Sequence, residues 1–403
     1  MNDRSSPVTH VCSSRGRGAV VPRLAAACSV GIAVATVVLV AQQPEGASPV
    51  TDKQRKNLVE LAEPWPDAAA IARRKADAED RALFHSSEPL EFRLEADFRT
   101  VQRDRDPTST TVYPATLTAP GADGQPVTLQ VQLRGRGILR RNPRTCDFPP
   151  LRIEFPKGDK SDLKRSLFDG IKHIKLSTHC NGGSDFEQYV VREYLAYRTY
   201  SLVTPWSLRV RLAKGTYVDA TNGRTIATKP AFFIEKEEDL AKRMEGRIAV
   251  LPRTCFADHD IDVLTQAALF SFLIGHTDYS VFTLHNTLLV QAQDKKLHAV
   301  LYDFDVTGLV DPPYARPSRV LNLDSVRDRL YRGPCRPVEQ LEPLLATYRS
   351  RKEAIFDLYA NEPELNSSSK QQMKEYVAEF FDIITDKGRT ARKLVGTCNK
   401  EVW

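Results

Sequence analysis

Four side chains in the second half of the chain have the types and spacing that phosphoryl transfer requires. Asp278 follows an apolar segment that ends at Gly275, and Asn286 comes eight residues later, directly before a predicted strand. Asp303 and Asp305 lie at the end of the next apolar strand, in LYDFD. One carboxylate can orient or deprotonate a hydroxyl, while an amide and another carboxylate supply the hard oxygen ligands that Mg²⁺ prefers. The ordered set therefore predicts a Mg²⁺-dependent site, although each residue alone is also typical of a turn or a cap.

The spacing of apolar residues predicts the elements that hold these side chains. Residues 261–274 are apolar nearly all round, which predicts a buried helix before Asp278, and two short strands are predicted at 287–291 and 297–302. In the first half, alternating apolar residues predict a sheet interrupted by one strong helix at 186–200. Its predicted strands lie at 90–98, 127–133, 151–155, 171–176, 208–212 and 231–234. The tail, 338–393, is predicted to be helical.

The second half resembles the catalytic segment of the CotH family of atypical kinases, found among spore-coat proteins and similar to HipA-like and protein kinases. The stretches that carry the resemblance are IGHTDYSVFTLHNTLLV and HAVLYDFDVTGLVD. The resemblance implies that Asp278 is the catalytic residue, that Asn286 and Asp303 hold Mg²⁺, and that Asp305 supports them. The family separates the first aspartate from the asparagine by about five residues. Here the separation is eight, so the loop must bulge, and His285 is a further candidate.

The first half adds a turn with two glycines, in LQVQLRGRG. By resemblance, this turn opens a nucleotide-binding lobe. Gly135 and Gly137 would let the backbone approach a phosphate, and Arg136 would favour an anion there. An ordinary hairpin turn explains the glycine pair equally well.

The resemblance also implies an ion pair between a strand lysine and a helix glutamate that grips phosphates. Lys175 and Glu193 are the candidates, with Lys172 and Arg152 as alternative cations. Glu193 is predicted to be partly buried, and a buried carboxylate needs a cation. An exposed Glu193, or one paired within its own helix, is the alternative. The strand FFIEKEED would bring backbone near Glu235 to the adenine of ATP.

Together these features predict an α+β, protein-kinase-like bilobal fold. A β-rich nucleotide-binding lobe with one embedded helix is expected at 89–250, and a mainly helical catalytic lobe with C-terminal helices at 251–403. Residues 42–88 are expected to be a linker with helical stretches. The implied activity is transfer of phosphate from ATP to a protein hydroxyl, with Mg²⁺.

The N-terminal region predicts an extracytoplasmic protein. Residues 24–41 carry no charge, and the basic segment 1–23 precedes them. The length is borderline for a transmembrane anchor and long for a signal peptide, and both remain open. Basic residues on the N-terminal side favour a cytoplasmic N-terminus. The protein is therefore expected outside the cytoplasm, either anchored once in the membrane or secreted.

The cysteines fit an oxidising location. Five cysteines follow the apolar segment, so at most two bridges form among them. The preferred pairs are Cys146–Cys180 and Cys255–Cys335, each within one predicted lobe. The spacing does not fix this connectivity.

Several classes of function are disfavoured. No long basic run with aromatic residues occurs in the body of the chain, so no nucleic-acid partner is expected despite a net charge of +6. No CxxC or HxxxH spacing occurs, so no stable metal cluster is expected. The expected partners are a protein substrate and, through the N-terminal segment, a membrane. Two alternatives stay open: a non-catalytic surface, coat or binding module, and a metal-dependent glycosyltransferase that uses Asp303 and Asp305.

Overall fold

The computed structural model describes residues 50–155 and 160–400. The predicted basic segment 1–23 and apolar segment 24–41 lie outside these ranges, so the choice between anchor and signal stays open. Within the described ranges, no helix is both long enough and apolar enough to cross a bilayer.

Seven strands of the first half close into a barrel in the order β1-β2-β3-β4-β5-β7-β6. Neighbouring strands are antiparallel except at the seam, where β6 pairs in parallel with β1 from Leu90↔Ala213 to Ala96↔Asp219. The strands are β1 Leu90–Ala96, β2 Tyr113–Pro120, β3 Pro126–Gly135, β4 Leu151–Glu154, β5 His173–Ser177, β6 Val210–Asp219 and β7 Thr225–Ile234.

Alternating side chains fill the barrel. Along β1, Leu90, Phe92, Leu94 and Ala96 are buried, while Glu91 faces solvent. A strand turns successive side chains to opposite faces, so the period of two in the sequence defines the interior directly. Aromatic residues add bulk to this interior, which forms one of two buried apolar clusters in the described chain.

The predicted protein-kinase-like bilobal fold is wrong, although the α+β class is correct. The strands expected to form the sheet of a nucleotide-binding lobe form a closed barrel instead. Alternation indicates which face of a strand is buried, but it does not indicate which strands meet at their edges. The pairing of β6 with β1 was therefore not visible in the sequence.

The second apolar cluster is built mainly from helices and a small sheet. This sheet has the order β10-β9-β8, with β8 Arg247–Ala249, β9 Thr287–Gln291 and β10 Leu297–Leu301. Its main helices are α5 Ser184–Val203, α7 Ile261–Ile274, α8 Val338–Ser350, α9 Lys352–Ala360 and α10 Ser367–Thr385. The shorter helices α3 Phe98–Arg103 and α4 Ser161–Arg165 contribute to the barrel cluster, and two others are α6 Glu237–Arg243 and α11 Lys387–Thr390. Helix α5, although it lies between β5 and β6 in the chain, contributes to this second cluster.

Helices α1 (Asp52–Ala62) and α2 (Ala68–Glu79) are fastened to the folded body. The side chain of Asn57 is buried, donates to the carbonyl of Ile248 at 2.9 Å and accepts from the amide of Val250 at 2.7 Å. Lys75 pairs with Glu245 at 2.8 Å. The described part of the expected linker therefore forms a strap over α6 and β8.

Two disulfides hold the described chain. Cys146 bonds Cys180, which confirms the first predicted pair, with 4.7 Å between the Cα atoms. Cys335 bonds Cys398, so the predicted Cys255–Cys335 pair is wrong. The amide of Asn399 donates to the carbonyl of Gly333, which brings Cys398 beside Cys335. Disulfides persist in oxidising compartments, so the fold is that of an extracytoplasmic protein.

Buried histidines predict a loss of stability in acid. Burial lowers the pKa values of His179 and His259 to about 4. The unfolded chain then binds more protons between a pH of about 6.5 and about 4, so stability falls as the pH decreases through that window. Each histidine is expected to lower the free energy of unfolding by about 2 kcal/mol at pH 5.

The measurement is the free energy of unfolding in urea at pH 7.5 and at pH 5. His179→Phe places a ring of similar size beside Phe148, and the variant should lose less stability between the two pH values than the wild type. Because His85 is exposed, His85→Phe serves as the control and should keep the full loss. Equal losses in all three proteins would contradict the prediction.

Candidate active site

A buried ion pair lies where the barrel meets the helices. Glu193 on α5 and Arg140, in the loop between β3 and β4, are 2% and 6% exposed. Nη1 of Arg140 lies 3.2 Å from Oε2 of Glu193. The hydroxyl of Ser177 donates to the same Oε2 at 3.0 Å, and Arg140 also donates to that hydroxyl and to the carbonyl of Thr178. Glu193 therefore has a cation and a neutral donor on one oxygen.

Asp303 and Asp305 are positioned by the phenylalanine between them. Phe304 is fully buried, with its ring centroid 4.5 Å from that of Tyr197 and 5.3 Å from that of Phe270. Asp303 takes a left-handed φ of 65°, and its amide donates to the hydroxyl of Tyr197 at 2.8 Å. Tyr197 lies one helical turn after Glu193, so α5 supports both the ion pair and the turn of Asp303.

Asp305 is enclosed by the protein. It is 6% exposed, and the hydroxyl of Tyr314 donates to its Oδ2 at 3.3 Å. Burial raises the pKa of Asp305 to about 8, and the negative charges of Asp303 and Glu193 add to this effect. A neutral carboxyl group, or a bound cation, resolves this electrostatic conflict.

The ionisable groups of this cluster shift one another's pKa values. Burial by itself would lower the pKa of Arg140, but the neighbouring Tyr314, Glu193 and Asp305 outweigh it and raise that pKa. Burial raises the pKa of Glu193, and Arg140 opposes this. Three carboxylates, Glu193, Asp303 and Asp305, thus act on Arg140, and a neutral Asp305 would leave Glu193 and Asp303 as its charged partners.

Asp278 and Asn286 are in direct contact despite their separation in sequence. Nδ2 of Asn286 donates to the carbonyl of Asp278 at 2.7 Å and lies 3.2 Å from its Oδ2. Nε2 of His285 lies 3.1 Å from Oδ1 of Asp278. A bridge between Ser280 and His285 closes the intervening residues into a side loop. The expected bulge is therefore this side loop, which leaves Asp278 beside Asn286.

The loop of Asp278 runs beside the segment that carries Asp303 and Asp305. The amide of Tyr302 donates to the carbonyl of Asn286 at 3.2 Å, continuing the β9–β10 pairing. Farther along, the amide of Gly308 donates to the carbonyl of Gly275 at 3.2 Å. The side chain of Asp278 is 46% exposed, so a large substrate can approach it.

Lys175 and Glu193 do not form the expected ion pair. Lys175 pairs with Glu237 at the start of α6, and its Nζ lies 5.3 Å from the ring centroid of Tyr302. The cation of Glu193 is Arg140, and neither Lys172 nor Arg152 takes that role. Sequence reasoning missed Arg140, and its only signal was the basic pair that follows the glycine turn.

The glycine turn lies close to the cluster. Gly137 has a left-handed φ of 81° and open space around it, whereas a side chain at Gly135 would press on Arg141. Arg136 is half-buried, and its guanidinium has no hydrogen-bond partner among the described residues. Burial raises the pKa values of Glu193 and Tyr302, and the charge of Arg136 opposes this rise by a smaller amount. Arg136 therefore lies near the carboxylate cluster.

The side chain of Glu235 is fully buried and committed to the protein. Its carboxylate lies 2.8 Å from the guanidinium groups of both Arg209 and Arg243. It also accepts from the amide of Arg209 at 2.9 Å. This carboxylate joins β6, β7 and α6, and the amide of Glu235 donates to the carbonyl of Arg209 at 2.8 Å, so neither group is free for a ligand.

No three histidine, cysteine, aspartate or glutamate side chains in the described ranges form a ready-made metal centre. No protein-family model and no curated protein matches the chain. The chemistry of the site is therefore argued from its own residues.

The buried pair predicts strong coupling between Arg140 and Glu193. Removing one partner leaves an uncompensated buried charge, so Arg140→Leu should lower the free energy of unfolding by about 3–5 kcal/mol. The double variant Arg140→Leu/Glu193→Leu should lose about 1–3 kcal/mol less than the sum of the single changes. Urea unfolding of all four proteins gives this coupling energy.

Arg165→Leu is the matched control. Its pair with Asp162 is mostly exposed and should contribute at most about 1 kcal/mol. Additive losses at Arg140 and Glu193 would show that the two side chains do not depend on each other.

Proposed function

We propose that this protein transfers phosphate from ATP to a hydroxyl group of a protein, with Mg²⁺. The observation that carries the proposal is the cluster of three carboxylates, Glu193, Asp303 and Asp305, around the buried Arg140. The contact between Asp278 and Asn286 beside that cluster supports it. Clustered carboxylates suit a divalent cation, and an adjacent accessible carboxylate suits a hydroxyl substrate.

The residues present fit Mg²⁺. Asp303 and Asn286 would hold the ion, with Asp305 in support, because Mg²⁺ takes one or two carboxylates and completes its shell with water and phosphate oxygens. A centre of three carboxylate or imidazole ligands is not needed for this mode of binding. When bound, the ion supplies neutralisation of phosphate charge.

Two cations are available for phosphate oxygens. Nε of Arg136 is buried without a hydrogen-bond partner among the described residues, and Lys175 lies beside Tyr302, directly before Asp303. The open space at Gly137 lets a phosphate approach the backbone. Lys175 would have to exchange Glu237 for phosphate, whereas Arg136 would not have to give up a partner among the described residues.

Asp278 would accept the proton of the attacking hydroxyl. Its carboxylate is half exposed and fixed by Asn286 on one oxygen and by His285 next to the other. Such fixed orientation is what a general base requires, together with access to the substrate.

A non-catalytic binding module is the second candidate. The specific observation in its favour is that Lys175 is held by Glu237 and not by Glu193. A glycosyltransferase has less support, because the strands before Asp303 form a mostly antiparallel barrel and not a doubly wound sheet.

For location, the proposal is export through residues 24–41, as an anchor or as a signal. The two disulfides support export to an oxidising compartment. N-terminal sequencing of the protein from its host separates cleavage from anchoring.

Asp303→Asn should abolish the binding of Mg²⁺ with ATP, because the amide loses the charge that holds the ion. Wild-type protein at a ligand concentration about 100 times Kd should gain about 3 kcal/mol of stability, seen as a rise in melting temperature. Chelation with EDTA should remove that gain. Asp294→Asn, at the exposed opposite end of the β9–β10 hairpin, should respond like the wild type. If Asp303→Asn gains as much stability as the wild type, Asp303 is not part of the site. If the wild type gains none, the kinase proposal fails, and a binding module that takes no nucleotide is left.

Asp278→Asn should bind Mg²⁺ and ATP normally but transfer phosphate about 10²–10⁴-fold more slowly, because the general base is lost. The measurement is transfer of radiolabelled phosphate from ATP to casein, with release of ADP as a second readout. Asp294→Asn again provides the control. A rate unchanged by Asp278→Asn would contradict the assignment of the base.

A further inference from the structure

The Cys146–Cys180 disulfide joins the two segments that hold Arg140. Cys146 lies six residues after Arg140, and Cys180 lies three residues after Ser177 and two after Thr178. Arg140 donates to the hydroxyl of Ser177 and to the carbonyl of Thr178. The bridge thus closes a small ring with the Arg140 contacts on its opposite side. Both sulfur atoms belong to buried residues, 0% and 2% exposed.

The apolar residues directly before Arg140 do not hold it in place. Ile138 is 78% exposed and Leu139 is 44% exposed, directly before the buried arginine. Regular strand pairing stops at Gly135 and resumes at Leu151. The apolar anchor of this loop is Phe148, which is 3% exposed and lies beside the bridge, and not the residues next to Arg140.

Polar tethers also gather around the bridge. The amide of Phe148 donates to the carbonyl of Cys180 at 2.8 Å, and the amide of Asp147 donates to the side chain of Asn181 at 2.8 Å. Arg105 donates to the carbonyls of Cys146 and Asp147 at 2.9 Å and 2.8 Å. Cys180 itself has a left-handed φ of 63°, which a non-glycine residue adopts only when its surroundings impose it. The disulfide and these hydrogen bonds fix one local conformation.

We infer that the Cys146–Cys180 disulfide is a positioning element that keeps Arg140 on Glu193 and thereby maintains the proposed nucleotide site. The structural part of this inference, the link between the bridge and Arg140, stands on the contacts above. Its consequence for Mg²⁺ and ATP rests on the proposed function. The Cys335–Cys398 bridge, between the loop before α8 and the C-terminal segment, has no such contact with Arg140 and provides a comparison.

The test compares Cys146→Ala/Cys180→Ala with Cys335→Ala/Cys398→Ala in the full chain. Each variant loses one bridge, so a general loss of stability appears in both. The first readout is amide hydrogen exchange without ligand. Residues 139–149 should exchange about tenfold faster in the first variant and at the wild-type rate in the second. Equal exchange of this segment in both variants would overturn the inference.

The second readout separates positioning from general stability. Arg140→Leu is introduced into the wild type and into both variants, and the shift of the urea midpoint is measured. The shift should fall to half or less in the Cys146→Ala/Cys180→Ala background, because Arg140 is already loosened there. It should keep its full size in the Cys335→Ala/Cys398→Ala background. A full-size shift in both backgrounds would overturn the inference.

The third readout is the Kd for ATP with Mg²⁺, which should rise about tenfold only in the Cys146→Ala/Cys180→Ala variant. If the wild type does not bind ATP with Mg²⁺, the proposed function fails. Amide hydrogen exchange and the urea shift caused by Arg140→Leu then still decide the role of the bridge. If the alanine pair does not fold, two glycines inserted after Pro143 keep both cysteines but lengthen their link to Arg140. That insertion should give the same fast local exchange, and unchanged exchange would overturn the inference.

Discussion

The buried pair of Arg140 and Glu193 is the interaction on which the rest of the site depends. A desolvated guanidinium is stable only where carboxylates surround it, and a desolvated glutamate only where a cation reaches it. The loop after β3 in the barrel supplies the guanidinium of Arg140, and α5 supplies the carboxylate of Glu193. The pair therefore links the loop after β3 to α5, and Asp303 and Asp305 lie close enough to raise the pKa of Arg140.

The aspartates near this pair owe their geometry to apolar packing. The ring of Phe304 packs against Tyr197, Tyr200 and Phe270. Asp303, directly before it, has a left-handed φ of 65°. Tyr197 completes the arrangement by accepting the amide of Asp303. The two aspartates are thus positioned by the packing of the phenylalanine between them. Helix α5, which carries Tyr197, also carries Glu193.

Much of the local structure could be predicted from the sequence. The apolar run 261–274 corresponds to α7 to the residue, and the predicted strands at 287–291 and 297–302 correspond to β9 and β10 within one residue. Strand β2 was missed because two of its three buried positions are alanines and prolines lie near both ends, at Pro114 and Pro120. The partner of Glu193 was missed because Arg140 lies in a loop, where no periodicity indicates direction. Barrel closure and the Cys335–Cys398 bond depend on contacts between distant segments, which local patterns do not encode.

The parallel seam of the barrel has a consequence for the order of events during synthesis and export. Strand β1 has one of its two neighbours in β6, which ends at Asp219. An emerging chain therefore has an open, unpaired edge until more than a hundred further residues have followed, and contacts of such separation form slowly. Cys146 and Cys180 both emerge within that interval. Their oxidation can therefore restrict the unfinished sheet while the edge of β1 is still open, before the last strands arrive.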